Sequence, residues 1–416
     1  MERTEIGADW LTVTTNPAQV FQDGLVTRYI DAFYKIDWSE RAESLLDEIA
    51  DKLQLGKKYI AVGGDNNDSE IRTIPKLAKK GYKVERQYKN LVMGYHPLFE
   101  YMGVCIELSG DALRDYRKMM APKGVELVEA YILRNVANVA ESFRSAQHGI
   151  NFASKCTRID IAIDVFDGKY SVTDYIDDYY HADGVITSEQ VNKKTGEVFE
   201  KPMNVGKQII QTTAGGESLY VGSISSSKRL NIYNKVAERV NAGEQLEETN
   251  WVRFEGRFRK EYALQIGNNL MATSDADAFA GLKYYYAVMV ANYGFKQPDG
   301  SDHPVVADWR KRSKGTLGVL QSEDRRKSSF ATSYEHIAER SGLFSTMKKA
   351  ELLHGVEAVD AFLKALMADY EKYKATDEVH KFVYAHGGED WEDTFPSGWK
   401  TEMRKMKSEQ SGEKRE

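Results

Sequence analysis

Three short stretches of this chain combine side chains that together could break a phosphodiester bond. Residues 230–235 contain Tyr233 and Lys235, residues 158–164 supply carboxylates, and residues 251–259 supply guanidinium groups. A tyrosine is a poor nucleophile at its ordinary pKa of about 10, but a nearby cation or metal ion favours the phenolate. Attack on phosphorus would leave a covalent phosphotyrosyl bond. Taken alone, an exposed strand tyrosine is more often amphipathic packing.

Alternating side chains in residues 158–164 predict a β-strand with one acidic face. Asp160 and Asp164 share that face with Arg158, and three isoleucines take the other. The two aspartates are four residues apart, about 13 Å along a regular strand, so one ion could not easily join both. We therefore expect one aspartate to act with a carboxylate of a neighbouring strand at a hard ion such as Mg²⁺ or Mn²⁺. The alternative is a solvent-facing ladder of arginines and aspartates.

Residues 251–259 form a second alternating stretch, with one carboxylate among three guanidinium groups. Arg253, Glu255, Arg257 and Arg259 share its polar face, which is suited to receive phosphate. Glu255 could bind the metal or hold an arginine in place, and cross-strand ion pairs on an exposed face are the structural alternative. If the three strands are neighbours, a metal and a phosphate can lie beside Tyr233. The predicted nucleic-acid contacts are Lys228, Arg229, Arg253 and Arg259.

Composition limits the class of protein. The chain has 416 residues and a net charge of −6, which argues against non-specific coating of nucleic acid but not against a local basic face. The charged N-terminus and the lack of a long apolar run predict a cytoplasmic protein with no membrane partner. Two cysteines indicate free thiols in a reducing compartment. There is no P-loop, no CxxC, no HExxH and no His-x-His pair.

The order of predicted elements favours an α+β fold with a mainly antiparallel sheet and flanking helices. The sheet could contain two similar halves. We expect a catalytic domain over residues 1–270, a helical region over 271–396 and a charged, disordered tail over 397–416. Residues 184–218 form a polar insertion, predicted as a hairpin or a long loop. Glu107, in a predicted strand at 101–109, is either a further metal ligand or, as we favour, a surface charge.

Six short segments, in order, resemble the replication initiation factor (Rep_trans) family. They lie at residues 8–13, 103–110, 158–164, 219–223, 230–235 and 253–257, so the resemblance spans about residues 5–265. The family includes initiators of rolling-circle plasmids, filamentous-phage replication proteins and relaxases of integrative conjugative elements. The helical C-terminal extension and the insertion depart from the plasmid initiators and leave recognition of the origin open.

The resemblance implies that a tyrosine nicks one DNA strand at an origin, with a divalent metal and without a histidine pair. Tyr233 would be the nucleophile, and Lys235 and Arg257 would support the phosphate. The acidic and metal-binding residues would be Asp160, Asp164 and Glu255. Partly single-stranded origin DNA is the expected partner, with a host helicase and a second copy of the chain as further candidates. The alternatives are a non-catalytic DNA-binding regulator and a metal-dependent nuclease that uses water.

Overall fold

The chain forms two compact units, Met1–Ser322 and Glu323–Glu416. This computed structural model describes residues 3–18, 21–22, 25–26, 38–56, 60–62, 76–146, 151–192, 195–211, 216–241, 243–248, 250–321, 337, 341–376, 379–380 and 383. The first unit contains the tyrosine, carboxylate and guanidinium stretches. The boundary between a catalytic domain and a helical region at residue 270 stays a prediction. The predicted tail over residues 397–416 lies outside the described residues.

A ten-stranded antiparallel sheet organises the first unit, as the α+β prediction requires. Its strands, in chain order, are β1 (Arg3–Ala18), β4 (Ile60–Val62), β5 (Val84–Tyr88), β6 (Leu91–Tyr95), β7 (Val104–Ser109), β8 (Asn151–Phe166), β11 (Lys207–Gln211), β12 (Glu217–Val221), β13 (Lys228–Asn234) and β14 (Trp251–Arg259). Two small sheets contain β2 (Phe21–Gln22) with β3 (Leu25–Val26), and β9 (Ile186–Val191) with β10 (Val198–Pro202) and β15 (Gly294–Phe295). The predicted insertion therefore contributes β9 and β10 as a hairpin and β11 as an edge strand.

Two similar halves meet at the centre of the large sheet. The spatial order is β11-β12-β13-β14-β8-β1-β7-β6-β5-β4, so each half is one long strand followed by a four-stranded meander. The long strands β1 and β8 pair with each other along their length. Lys89 turns the chain between β5 and β6 with a positive φ of 52°.

Helices cover one face of this sheet, except for the short helix at residues 235–241, whose Lys235 and Glu238 lie at the polar face beside Tyr233. The helices are α1 (Trp38–Lys52), α2 (Gly110–Met120), α3 (Val128–Ala146), α4 (Val172–Ile176), α5 (Lys235–Asn241), α6 (Lys260–Ala272), α7 (Ala278–Asn292) and α8 (Pro304–Arg312). The break between α2 and α3 contains Pro122 and ends at Gly124, which has a positive φ of 77°. Close packing of α7 on β14 depends on Gly256, where a Cβ atom would lie 2.6 Å from Met289 Sδ.

The apolar residues of the strands pack beneath these helices. Ile159, Ile161 and Ile163 of β8 are fully buried, as their alternation with the acidic face predicts. An aromatic cluster joins β14 to α8, where Phe254 lies edge-on to Trp309 with ring centroids 5.0 Å apart. Tyr175 meets the same phenyl ring edge-on at 5.1 Å. The opposite face of the sheet carries the polar residues and faces away from these helices.

The second unit contains a helical hairpin, Leu343–His354 and Val356–Lys372. The side chains described in this pair are exposed or half-buried, and Leu352, Leu353 and Tyr370 are each more than two-thirds exposed. Across the part of the chain that the structure describes, no helix is both long and apolar enough to cross a membrane.

Replacing the buried ring at the centre of the aromatic cluster should destabilise the first unit. Phe254→Ala leaves a cavity between β14, α4 and α8, and a loss of about 3–5 kcal/mol in the free energy of unfolding is expected. Phe279→Ala on α7 is the matched control, because that ring is 75% exposed and its loss should cost less than about 0.5 kcal/mol. Urea unfolding measures both variants, and similar losses would contradict this account of the core.

Candidate active site

Strands β13, β14 and β8 are neighbours, so the three stretches singled out in the sequence form one surface. Their register places Tyr233 beside Arg253, which in turn lies beside Asp164. Two residues along the strands, Asn231 lies beside Glu255. All these positions point to the face of the sheet that the helices leave uncovered.

The hydroxyl of Tyr233 lies between a carboxylate and an ammonium group. Its Oη atom donates a hydrogen bond to Glu255 Oε2 at 3.3 Å and accepts one from Lys235 Nζ at 3.4 Å. Burial raises the pKa of Tyr233 well above its ordinary value, and the carboxylate of Glu255 raises it further. The phenol is therefore protonated and already directed at a carboxylate that could accept its proton.

Lys235 reaches the tyrosine because the chain changes from strand to helix directly after it. Asn234 ends β13 and caps α5, accepting a hydrogen bond from the Ala237 amide at 3.2 Å. Lys235, the first residue of α5, is consequently folded back beside Tyr233, and its Nζ atom also donates to Glu238 at 2.6 Å. Its side chain is only 5% exposed, which holds the ammonium group in place.

Glu255 carries negative charge that its neighbours compensate only in part. Its second oxygen, Oε1, accepts a hydrogen bond from Arg257 at 3.3 Å. Burial raises the pKa of Glu255, and the carboxylates of Asp160 and Asp9 raise it further, while Arg257 and Arg253 lower it. This carboxylate is therefore a better proton acceptor than an exposed glutamate, and a cation placed near it would be stabilised.

The two predicted aspartates are each held by arginines. Asp164 accepts two parallel hydrogen bonds from Arg253, at 2.7 and 2.8 Å, and a third from Trp251 at 2.6 Å. Asp160 is 2% exposed and accepts hydrogen bonds from Arg158 and Arg257. These contacts use both oxygens of each carboxylate to position guanidinium groups. The roles of Asp160 and Asp164 as metal ligands stay predictions.

Asp9 joins the site although the sequence analysis did not select it. Its Oδ1 atom accepts a hydrogen bond from Arg253 Nη1 at 3.0 Å. Counting back from the buried Leu11 and Val13 would place Asp9 on the helix-covered face. A register irregularity between Ala8 and Trp10 turns it to the open face instead. Nothing in the alternation of residues marks this bulge.

A family model described as replication initiation factor matches residues 154–366, just over half of the chain. The chain belongs to this family.

The other comparisons add little to this assignment. A solved rolling-circle replication initiator protein from Geobacillus stearothermophilus is similar over 77% of this chain and 100% of its own, with 16% identity and a TM-score of 0.44. A likeness at that level carries no argument about function. Comparison with curated proteins gives no match. Family membership thus places the protein among replication initiation factors and agrees with the resemblance drawn from its motifs.

The remaining predicted residues of this replication initiation factor occupy different surroundings. Arg229 lies on the open face of β13, but Lys228 points to the helix-covered face, where its Nζ atom donates to Asn292 at 3.0 Å. Arg259 donates to the Ile224 carbonyl at 3.2 Å, in the turn between β12 and β13. The structure therefore brings Arg229 and Arg253 to the site and directs Lys228 away from it. Their contacts with DNA stay predictions.

The surroundings of Glu107 differ from those that the sequence predicted. Glu107 is 6% exposed and paired with Lys80. The prediction that it is a surface charge is therefore wrong. Side chains from β1 and from the turn before β5 cover it, which the alternation in β7 alone does not reveal. Among the described residues, no group of three or more His, Cys, Asp or Glu side chains is arranged to hold a metal ion.

The half-buried Lys228 gives a prediction about pH. Burial lowers its pKa from 10.5 to about 8, so the native state releases this proton before the unfolded state does. The wild type should therefore gain stability as pH rises from about 8 to 10.5, because the unfolded chain binds more protons there. A Lys228→Met variant lacks this gain.

Thermal unfolding of both proteins between pH 7 and 10 measures the effect. The melting temperature of Lys228→Met relative to wild type should be highest below pH 8 and should fall as pH rises. Lys311→Met, which removes an exposed lysine, should show a constant difference. A flat profile for both variants would contradict the burial of an uncompensated charge at Lys228.

Proposed function

We propose that this replication initiation factor nicks one strand of DNA with Tyr233 as the nucleophile. The observation that carries the proposal is the position of Tyr233 Oη, which is hydrogen-bonded to both Glu255 and Lys235 on an uncovered, arginine-rich face. A structural tyrosine on a sheet needs packing partners, but it does not need a half-buried carboxylate and a buried ammonium at its hydroxyl. A phosphodiester is the substrate class that this combination of groups suits.

The reaction can be written with these groups in defined roles. Tyr233 Oη attacks the scissile phosphorus, and Glu255 accepts its proton. The bond from phosphorus to the 3′-oxygen breaks, and the leaving oxygen takes a proton from water. One DNA end then carries a 3′-OH, and the other is joined to the protein by a 5′-phosphotyrosyl bond. A free 3′-OH can later attack the same phosphorus and reverse the step, because the phosphotyrosyl bond conserves the energy of the broken one.

Positive groups beside the tyrosine would stabilise the charge that develops on the phosphate. Lys235 already contacts Tyr233 Oη, and it would help to hold the oxygen in place as the proton leaves. Arg257 lies on the neighbouring strand and shares Glu255 with the tyrosine. Losing one such preorganised donor typically costs about 10²–10³ in rate. Arg253 is held by Asp164, and this pair keeps the polar face of β14 rigid beside Tyr233.

The carboxylates around Glu255 are chemically suited to a divalent ion, although they do not provide a complete coordination shell. Negative charge from Asp160 and Asp9 accumulates around Glu255, and Mg²⁺ needs only one or two carboxylates when substrate phosphate completes its shell. Glu255 and Asp9 would hold the ion, with Asp160 near them. Mg²⁺ or Mn²⁺ bound there would withdraw electron density from the scissile phosphate. Asp164 fits this role less well, because Arg253 and Trp251 occupy its oxygens.

The biological setting that we propose is rolling-circle replication or transfer of a mobile element from an origin that is partly single-stranded. A host helicase and a second copy of the chain remain proposed partners. A non-catalytic DNA-binding regulator is the competing function, and it would not require Tyr233 and Glu255 to share a proton. A nuclease that uses water would cut DNA and leave no protein attached.

Removing the tyrosine hydroxyl should abolish the covalent product. Tyr233→Phe keeps the ring in place, so the fold and DNA binding should persist while nicking of a supercoiled origin plasmid and the protein–DNA adduct disappear. A denaturing gel with labelled DNA detects the adduct. Tyr180→Phe, on an exposed turn of helix, should retain it. An adduct formed by Tyr233→Phe would rule out this nucleophile, and nicking without any adduct by the wild type would favour water.

Divalent metal should be needed for nicking and should bind near Glu255. EDTA should abolish nicking, and added Mg²⁺ or Mn²⁺ should restore it. Because a bound ion stabilises the native state, Mn²⁺ should raise the melting temperature of the metal-free wild type. Glu255→Gln should lose most of that rise, whereas Glu261→Gln on α6 should keep it. An equal rise in both variants would place the ion elsewhere.

A further inference from the structure

Arg229 is a buried cation that lacks the acidic partner found beside its neighbours. Its side chain lies on the open face of β13 and is 8% exposed. Two of its three nitrogens, Nε and Nη2, are buried and find no hydrogen-bond acceptor among the described residues. The guanidinium of Arg253 on the same surface is paired with Asp164 and Asp9, and no such carboxylate accepts from these two nitrogens of Arg229.

The surroundings of Arg229 hold it in position without neutralising it. Its guanidinium carbon lies 4.0 Å from the centroid of the Tyr220 ring, a cation–π contact from the adjacent strand β12. On β14 it lies beside Arg257, a second positive charge. Burial lowers the pKa of Arg229, and the charge of Arg257 lowers it further, while Tyr220 raises it. A buried, uncompensated charge is costly, so a group that retains one is suited to an anion that arrives from outside.

A second unpaired polar atom lies two residues along the same face. Asn231 Oδ1 is buried and has no hydrogen-bond partner among the described residues. An amide can turn to present its NH₂ group in place of its oxygen, so Asn231 can donate to the same anion that Arg229 binds. Arg229, Asn231 and Tyr233 then form one line along β13. The line spans four residues from Arg229 to Tyr233, about 13 Å.

We propose that Arg229, backed by Tyr220 and assisted by Asn231, is a subsite for a backbone phosphate of the nicked strand. This phosphate lies a few nucleotides from the bond that Tyr233 attacks, as the spacing along β13 requires. The planar guanidinium offers two parallel hydrogen bonds to phosphate oxygens. The subsite fixes the register of the strand relative to Tyr233. This inference rests on the proposed function, since it places the same DNA strand along β13.

The test separates a binding role from a structural one, because the two roles predict opposite changes in stability. Arg229→Met keeps most of the side-chain volume and removes the unpaired charge. In the absence of DNA this variant should have a higher melting temperature than its parent. It should also bind a fluorescently labelled oligo(dT) 15-mer about tenfold more weakly. The slope of log K against log salt should fall by about 0.7, the value for one single-strand phosphate contact.

All proteins in this test carry Tyr233→Phe, so that binding is read without cleavage. The result is therefore interpretable whether or not Tyr233 is the nucleophile. Arg114→Met is the matched control, because that exposed arginine is paired with Asp111 on α2 and should change neither affinity nor salt slope. Arg229→Lys should recover part of the affinity and the salt slope. Tyr220→Leu should weaken binding and leave the slope unchanged.

Two results would overturn the proposal. A lower melting temperature for Arg229→Met, with unchanged affinity for the oligonucleotide, would mean that the arginine is structural. If inorganic phosphate alone raised the melting temperature of the parent protein as much as the oligonucleotide does, and Arg229→Met abolished both rises, the site would bind a free anion and not a DNA strand. A rise with the oligonucleotide only, lost in Arg229→Met, supports the subsite.

Discussion

The register between β14 and its two neighbours is the constraint on which the rest of the site depends. Side chains alternate between the faces of the sheet, so a slip of one residue would turn Arg253, Glu255 and Arg257 into the helix-covered core. The bidentate pair of Asp164 and Arg253 opposes such a slip, because a separated partner would be a buried, unpaired charge. Phe254, fixed against Trp309 on the other face, holds the same strand from below.

Charge compensation on this surface is uneven, and the unevenness separates supporting groups from reactive ones. Asp160 and Asp164 are neutralised by arginines and order the surface. Glu255 has excess negative charge around it, whereas Arg229 has excess positive charge. The first can accept a proton or a cation, and the second can accept a phosphate. Natural proteins tend to place such locally unfavourable groups at functional sites.

The two halves of the sheet share a strand order, yet only one carries this chemistry among the described residues. In the first half Glu107 lies on β7, in the place in the strand order that β14 holds in the second half. It is paired with Lys80 and receives a hydrogen bond from Thr12. Its carboxylate is thus neutralised. The order of predicted elements allowed for two similar halves, but it did not indicate this difference in charge.

The sequence by itself determined the elements, the polar faces and the residue types, because alternation and spacing are local properties of a strand. It selected Tyr233, Lys235, Glu255 and the arginines, and it predicted the antiparallel α+β fold. The tertiary structure decided which of these groups meet. The bulge before Trp10 brought in Asp9, the helix-covered face took Lys228, and arginines bound both oxygens of Asp160 and Asp164. Pairing and compensation between strands depend on contacts far apart in the chain, which no local pattern encodes.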